Sequence, residues 1–325
     1  MDWSGVRVLI TGGSGFLGTN AIEHFASRGS EVLNLDIHPP RNPAHRAVWR
    51  RSDILDCAAL GADVRAFDPH YVLHLAARTD LLETRDIRGY AANYDGTRYL
   101  IDACTSCKRL KRAVFASSRM VCRIGYTPRD ETDYCPPNPY GESKVRAEQV
   151  VRDSQPPFEW LIVRPTSIWG PWFDVPYKLF FTAIANRTYF HPRGRDPQKS
   201  FGFVGNTVYQ YEKLFLAPRN AVQGTTMYQC DYPPLELQAW AQLIGTAMRV
   251  DRIRSVPLPL LWTVAKVGDA LTSFGWKRAP LTTFRLRNLL TPMVFDTRLL
   301  AEICGDLPFT VAQGVDLTVS WLRGQ

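Results

Sequence analysis

Tyr140 and Lys144, in the run Tyr140-Gly-Glu-Ser-Lys144, stand four residues apart. On a helix that spacing puts two side chains on one face, so the ammonium can lie near the phenol. A phenol with its ordinary pKa of ~10 is a poor base at neutral pH. A close ammonium favours the phenolate. Lowering that pKa by about three units takes roughly 4 kcal/mol, within reach of close charges in a partly dry cleft. Such a pair can take a proton from a hydroxyl group. Taken alone it is equally a chance pair on a surface helix. Ser117-Ser118 directly follows the apolar run ending at Ala116. Residues at the carboxyl ends of parallel strands face the ligand crevice, where a Ser118 hydroxyl can hold a substrate oxygen while the phenolate removes its proton. Serine pairs also serve as plain turns.

A third piece lies near the amino terminus: Gly12-x-x-Gly15-x-x-Gly18. Gly12 permits a tight turn, Gly15 lets the backbone approach a pyrophosphate, and Gly18 allows close helix–strand contact. The helix opened by this turn presents free N–H groups and a positive dipole end to that anion. Three spaced glycines are a weak signal alone, but these follow a buried strand and open an amphipathic helix. Asp36, ending the next strand, can accept from ribose hydroxyls and would repel a 2′-phosphate. Arg41 could pair with such a phosphate, but it follows two prolines in a loop. The expected cofactor is therefore NAD.

The elements that must position these residues are legible in outline. Val6–Ile10 is a continuous apolar run, as a strand buried on both faces requires. The next stretch carries an apolar helical stripe of Phe16, Leu17, Ala21, Ile22 and Phe25, ended by Gly29, and a second strand runs from Glu31 to Leu35. Further strands are predicted at Tyr71–Leu75, Arg112–Ser117 and Trp160–Arg164, with helical stretches between. Strands alternating with helices give an α/β fold, a doubly wound parallel (Rossmann) sheet. Beyond Pro165 the alternation fades. Residues 1–165 are expected to form the NAD-binding domain, and 166–325 a smaller substrate-binding lobe with segments returning to the sheet.

At 325 residues the chain is about twice the usual domain size, and 45% apolar with 22% charged residues is ordinary globular composition. The net charge of +8 is spread along the chain rather than gathered into a stripe. Nucleic acid is thus not an expected partner, and phosphates on a small molecule or scattered solvating charge account for it. Seven cysteines are no disulfide framework at this length. Cys104-x-x-Cys107 falls at a helix end, where the dipole disfavours a thiolate, so it is not read as a redox pair. Met1–Gly5 runs straight into the first strand, so a basic and apolar leader is not expected. The longest apolar stretch, Val256–Val267, carries Pro259 and Lys266 and is too short to span a bilayer. A cytoplasmic protein is expected, with reversible contact at a membrane surface left open. No metal site is expected.

Together these pieces resemble the extended short-chain dehydrogenase/reductases, in particular the NAD-dependent sugar epimerase/dehydratase family. Thr11-Gly-Gly-Ser-Gly-Phe-Leu-Gly18, Asp53-Ile54, His74-Leu-Ala-Ala77, Asn93-x-x-Gly96-Thr97, Ser117-Ser118, Tyr140-x-x-x-Lys144 and Arg164-Pro-x-x-x-x-Gly170-Pro171 carry the resemblance. It implies Tyr140 as base, Lys144 as its electrostatic partner and ribose ligand, and Ser118 as partner of the substrate oxygen. It implies cofactor contacts from Gly12, Ser14, Gly15, Phe16, Leu17, Gly18 and Asp36. Others come from Asp53, Ile54, Leu75, Ala76, Ala77, Asn93, Ser117 and Pro165, besides Tyr140 and Lys144. Asp296–Trp321 looks like the family's closing helix, and a homodimer through helices matching Ile87–Cys107 and Tyr140–Arg152 is implied.

The departures narrow the chemistry. Sugar-nucleotide dehydratases of this family carry Asp-Glu where this chain has Arg119-Met120, so no acid is placed to eject water. Val121-Cys122-Arg123 replaces Val-Tyr-Gly, and Ser167 replaces an asparagine. Lys199-Ser200-Phe201 stands where the family has Arg-Asp-aromatic. Thr79, Arg119, Ser167, Lys199 and Arg287 are the candidate substrate contacts; Lys199 and Arg287 are also read as solvated surface charge. The expected activity is epimerisation or keto-reduction of a sugar, nucleotide-linked, with Trp172–Arg195 supplying aromatic and basic contacts. Alternatives are an alcohol dehydrogenase of the 3-beta-hydroxysteroid type, whose apolar carboxyl-terminal segment Val256–Leu271 resembles, and a non-catalytic NAD sensor.

Overall fold

The computed structural model describes residues 2–81, 86–175, 177–250, 252–273 and 281–325. Two compact units form. The first comprises 1–168, 202–230 and 296–308; the second comprises 169–201, 231–295 and 309–325.

Unit 1 is built on seven strands: β1 (Arg7–Thr11), β2 (Glu31–Asp36), β3 (Trp49–Arg51), β4 (Tyr71–His74), β5 (Arg112–Ala116), β6 (Glu159–Pro165) and β7 (Thr226–Gln229). Their order across the sheet is β7-β6-β5-β4-β1-β2-β3, every pairing parallel. Strand order reverses at β1, and that reversal opens a crevice at the carboxyl ends of β1 and β4. The α/β reading and the parallel sheet are thus correct. β1 runs one residue past the expected Ile10 because Thr11 pairs with both Leu35 and His74. The three-residue edge strand β3 has no apolar run to announce it: Trp49 is half-buried, while Arg50 and Arg51 are exposed. Thr226–Gln229 is a late segment that joins the sheet, beside β6.

Four helices matter for the site: α1 (Phe16–Ala26), α2 (Cys57–Phe67), α3 (Ala91–Cys104) and α4 (Pro139–Ser154). α1 buries Gly18, Thr19, Ala21, Ile22 and Phe25. Phe16 and Leu17 are only half-buried at its amino end, so the packed stripe starts one turn later than expected. α2 and α3 pack with β1, β4 and β5 in one core that includes Leu9, Leu60, Val72, Leu100 and Phe115. All seven cysteines are free thiols.

The expected closing helix Asp296–Trp321 is two helices, Arg298–Cys304 and Val311–Arg323. Gly305 takes a left-handed φ of +65° and Pro308 follows, which stops the first. Thr310 and Gln313 form a capping box that starts the second.

In unit 2 the aromatics of Trp172–Arg195 are largely core. Phe173 and Phe181 are buried, and Phe180 stacks on Trp240 with centroids 4.9 Å apart. Trp172 packs against Trp321 at 5.7 Å. Aromatic density there builds the unit's interior before it can serve any ligand. No helix among the described residues is long and apolar enough to cross a membrane.

Candidate active site

At the carboxyl end of β1 the chain turns through Gly12 at φ +72°. A Cβ on Gly12 would lie 2.6 Å from the Ala76 nitrogen, so only glycine lets the ends of β1 and β4 close together. A Cβ on Gly18 would meet the Gly12 carbonyl and Gly13, which is how α1 lies against its own turn. Gly15 caps α1 without a side-chain hydrogen bond, leaving the positive helix end open to an anion. The Asp36 carboxylate accepts from the Ser14 N–H (3.0 Å) and the His38 N–H (2.9 Å), so it is held at the mouth of this turn. Buried Ser14 donates its hydroxyl to the His38 carbonyl at 2.8 Å. An open helix end beside a fixed carboxylate suits a pyrophosphate and a ribose. The residues present fit a dinucleotide.

Asp53 is exposed, its carboxylate accepting from the Leu55 N–H at 2.9 Å. Ile54 is buried in the core, where its side chain faces Gly96 of α3. Leu75, Ala76 and Ala77 follow β4, half-buried.

A relay missed in the sequence fixes that stretch. The Ala76 N–H donates to the Thr11 hydroxyl (3.3 Å), and Thr11 contacts His74 Nδ1 at 2.7 Å. His74 Nε2 contacts the Thr97 hydroxyl at 2.9 Å, and Thr97 donates to the Asn93 carbonyl at 2.7 Å. Since Thr97 already donates onward, His74 must carry its proton on Nε2 and accept from Thr11 at Nδ1. Burial, reinforced by the Lys144 charge, holds the imidazole down to about 3, so it stays neutral. Asn93 completes the clamp. Its amide accepts the Arg78 N–H (2.7 Å), donates to the Arg78 carbonyl (3.0 Å), and reaches the Ser143 hydroxyl of α4 at 2.8 Å.

α4 starts with Asn138 capping the Gly141 N–H at 2.9 Å and Pro139 in its first turn. A Cβ on Gly141 would collide with the Met120 carbonyl, so this glycine lets the helix close on the Ser118–Met120 turn. The unusual glycine inside a helix was its only signal. The approach brings buried Tyr140 up to Ser118 and Arg119, both close enough to favour the ionised phenol. Ser118 also accepts from the Met120 N–H at 3.1 Å. Tyr90, fully buried, flanks Tyr140 with ring centroids 6.1 Å apart. Ser117 is buried beside Ser118, and its N–H donates to the Val163 carbonyl at 2.7 Å.

One expectation is met differently. Burial raises the Tyr140 phenol above its ordinary value, against the pull of Ser118 and Arg119. The Lys144 ammonium donates to the Ala116 carbonyl at 2.8 Å, tying α4 to the end of β5. Burial lowers Lys144 from 10.5 to about 8, partly countered by Glu148. Folding therefore disfavours this charge. On its account, stability is lowest below pH 8 and rises as pH climbs from 8 toward 10.5. The penalty is at most about 3 kcal/mol, offset in part by the bond to Ala116. Lys144→Met is expected to melt a few degrees above wild type at pH 7 without cofactor, the difference shrinking by pH 10. Thermal melts across that range check this.

Glu148, one turn beyond Lys144, was also missed. It is buried with Arg164 of β6, which donates through Nε (2.8 Å) and Nη2 (2.7 Å) to its two oxygens. Tyr134 donates a third bond at 2.8 Å.

The remaining candidates divide. Thr79 is exposed, Arg119 stands beside Tyr140, and Pro165 and Ser167 lie respectively at and just beyond the end of β6, Ser167 buried. In unit 2, Lys199 is buried, its ammonium donating to the carbonyls of Asn288 (2.9 Å) and Thr291 (2.6 Å). A phosphate at Lys199 would compete with those carbonyls. Arg287 is exposed, with its guanidinium 6.0 Å from the centroid of Trp262.

Residues 8–205 match the model of the NAD dependent epimerase/dehydratase family. The chain is 27% identical over 322 residues to an N-acetyl-alpha-D-glucosaminyl-diphospho-ditrans,octacis-undecaprenol 4-epimerase of Escherichia coli O157:H7, covering 97% of this chain and 95% of that one. It is 26% identical over 258 residues to a 3-beta-hydroxysteroid dehydrogenase of Mycolicibacterium neoaurum, covering 74% and 70%. The solved structure of a UDP-N-acetylglucosamine 4-epimerase of Methanobrevibacter ruminantium M1, in complex with UDP-N-acetylmuramic acid, shares the fold. Its TM-score is 0.74 at 18% identity, over 99% of each chain.

Proposed function

Because this chain belongs to the NAD-dependent epimerase/dehydratase family, enzymes of the extended short-chain dehydrogenase/reductase type that use NAD, we propose that it inverts a hydroxyl-bearing carbon of a diphosphate-linked sugar. The observation that carries this reading is the buried Tyr140 phenol set beside Ser118 and Arg119, both of which favour its ionised form. When bound at the Gly12–Gly18 turn and Asp36, NAD supplies a reversible hydride acceptor and, oxidised, a positive ring charge that favours phenolate.

Ser118 orients the reacting oxygen by a hydrogen bond. Tyr140 Oη takes the hydroxyl proton as the alcohol is oxidised and returns it to the same oxygen on reduction. The raised phenol makes the protonated form the resting one, ready to donate to a ketone. Lys144 holds α4 on β5 and contributes its positive charge to the site. Asn93 and His74 keep the Leu75–Ala77 stretch in register with Gly12. Water elimination would need an acid next to Ser118, and Arg119 and Met120 supply none. That favours inversion or keto-reduction over dehydration.

The undecaprenol-linked relative supports an N-acetylhexosamine on a diphosphate as the substrate. Unit 2 as the substrate lobe belongs to the same proposal. So does a homodimer through the outer faces of α3 and α4, which leave a groove of about 660 Å³ lined by Tyr94, Arg98, Asp102, Arg146, Gln149 and Asp153.

A second reading, net dehydrogenation of a hydrophobic alcohol of the steroid type, is favoured by the hydroxysteroid dehydrogenase relative. One experiment separates them. Purified protein is incubated with diphosphate-linked N-acetylhexosamines, nucleotide and polyprenyl, and the products are resolved by mass and chromatography. Inverted product with no accumulation of reduced NAD supports inversion; reduced NAD growing in step with oxidised product supports the second reading.

A further inference from the structure

Unit 2 carries two helices, Leu258–Ser273 and Thr283–Leu290, that share a small core of Leu261, Ala265 and Leu286. That core uses one stripe of the longer helix. Leu260, Val264, Val267 and Leu271 follow at steps of four, three and four residues. At 3.6 residues per turn they fall in a single stripe about 60° wide, adjoining the packed one. This second stripe is in water: Leu260 is 54% exposed, Val264 45%, Val267 54% and Leu271 36%. On the shorter helix Phe284 is 71% exposed. A helix with one buried stripe ordinarily turns polar residues outward; this one turns out a second apolar stripe, with Lys266 and Asp269 its only charges.

Charge decides between occupants. Residues 252–273 and 281–290 hold five basic side chains, Arg252, Arg254, Lys266, Arg285 and Arg287, against the single acid Asp269. All five basic residues are exposed. A second copy of this face would bring the same positive excess against itself. An acidic lipid surface satisfies both features, taking the apolar stripe at its headgroup–acyl boundary and the basic groups at its phosphates.

We propose that this helix pair docks the enzyme on an anionic bilayer surface, through the Leu260/Val264/Val267/Leu271 stripe and its basic surround. The docking is reversible and peripheral. It stands whatever the substrate, and it would place the enzyme where polyprenyl-linked sugars reside.

The test is sedimentation of the full chain with vesicles of phosphatidylcholine alone or with about a third phosphatidylglycerol. Wild type is expected to pellet with the anionic vesicles, less so at high salt, and little with the neutral ones. Leu260→Glu/Val267→Glu should weaken that binding at least about tenfold while melting temperature and NAD binding stay as in wild type. Arg254→Glu/Lys266→Glu should weaken binding to anionic vesicles and abolish its salt dependence. Three outcomes overturn the proposal: wild type remaining in the supernatant with both vesicles, the apolar-to-Glu variant pelleting like wild type, or that variant converting a wild-type oligomer into a smaller species.

Discussion

Tyr140→Phe is expected to lower turnover by about 10²–10⁴-fold, the usual contribution of a positioned proton-transfer group, while leaving NAD affinity near wild type. The ring keeps its place between Tyr90 and the Ser118 turn, so packing changes little. What is lost is the phenol oxygen that stands beside Ser118, and with it the proton's carrier. Because burial raises the phenol in the cofactor-free protein, its ionisation should be absent from the ultraviolet spectrum at neutral pH. It should appear at lower pH once oxidised NAD is added. The wild-type minus Tyr140→Phe difference spectrum reads this without any substrate. Turnover surviving at the wild-type rate would remove Tyr140 from the chemistry.

Glu148→Ala is expected to destabilise the fold by about 3–5 kcal/mol, the usual cost of stranding one member of a buried ion pair. Burial alone would raise this carboxyl, but the hydrogen bonds and charge of Arg164 outweigh it and leave it below its ordinary value. Arg164 would lose both of its bonds to Glu148 while only 2% exposed, and its stacking near Tyr134 and Tyr228 cannot neutralise a charge. The sign in pH follows. The contribution is fully present above the unfolded carboxyl pKa and is lost as pH falls through the depressed folded value. Urea denaturation at pH 7 measures the loss. Glu148→Leu combined with Arg164→Met should recover part of it, since a buried pair replaced by apolar groups is often neutral, while half-buried Arg152 still loses its bond to Glu148. A Glu148→Ala midpoint equal to wild type would mean that water reaches the pair.

How much of this was legible in the sequence depends on how local each feature is. β1, its glycine turn and α1 announce themselves because burial on both faces demands an unbroken Val8-Leu9-Ile10 run and close approach demands glycine. Tyr140 and Lys144 were visible as a pair one turn apart. Their environment was not: Lys144 bonds a strand carbonyl, and burial rather than its charge dominates Tyr140. The His74 relay joins residues up to 65 apart, and Glu148 meets Arg164 across 16, so neither has a spacing signature. Lys199 looked like a phosphate ligand because the family pattern puts a cation there. The carbonyls of Asn288 and Thr291 that it bonds are about 90 residues away. The aromatic run after Trp172 carried no periodicity to mark Phe173 and Phe181 as core.

The central claim is that a hydroxyl-bearing carbon is oxidised and reduced again while Tyr140 carries only the hydroxyl proton. It is tested most directly by turning over a diphosphate-linked N-acetylhexosamine carrying deuterium on the inverting carbon, in ordinary water. The expected product keeps its deuterium on that carbon through many turnovers, at a rate that falls with Tyr140→Phe. Deuterium washed out into solvent would mean that a carbon-bound proton, not a hydroxyl proton, is being removed, and would contradict the proposed chemistry.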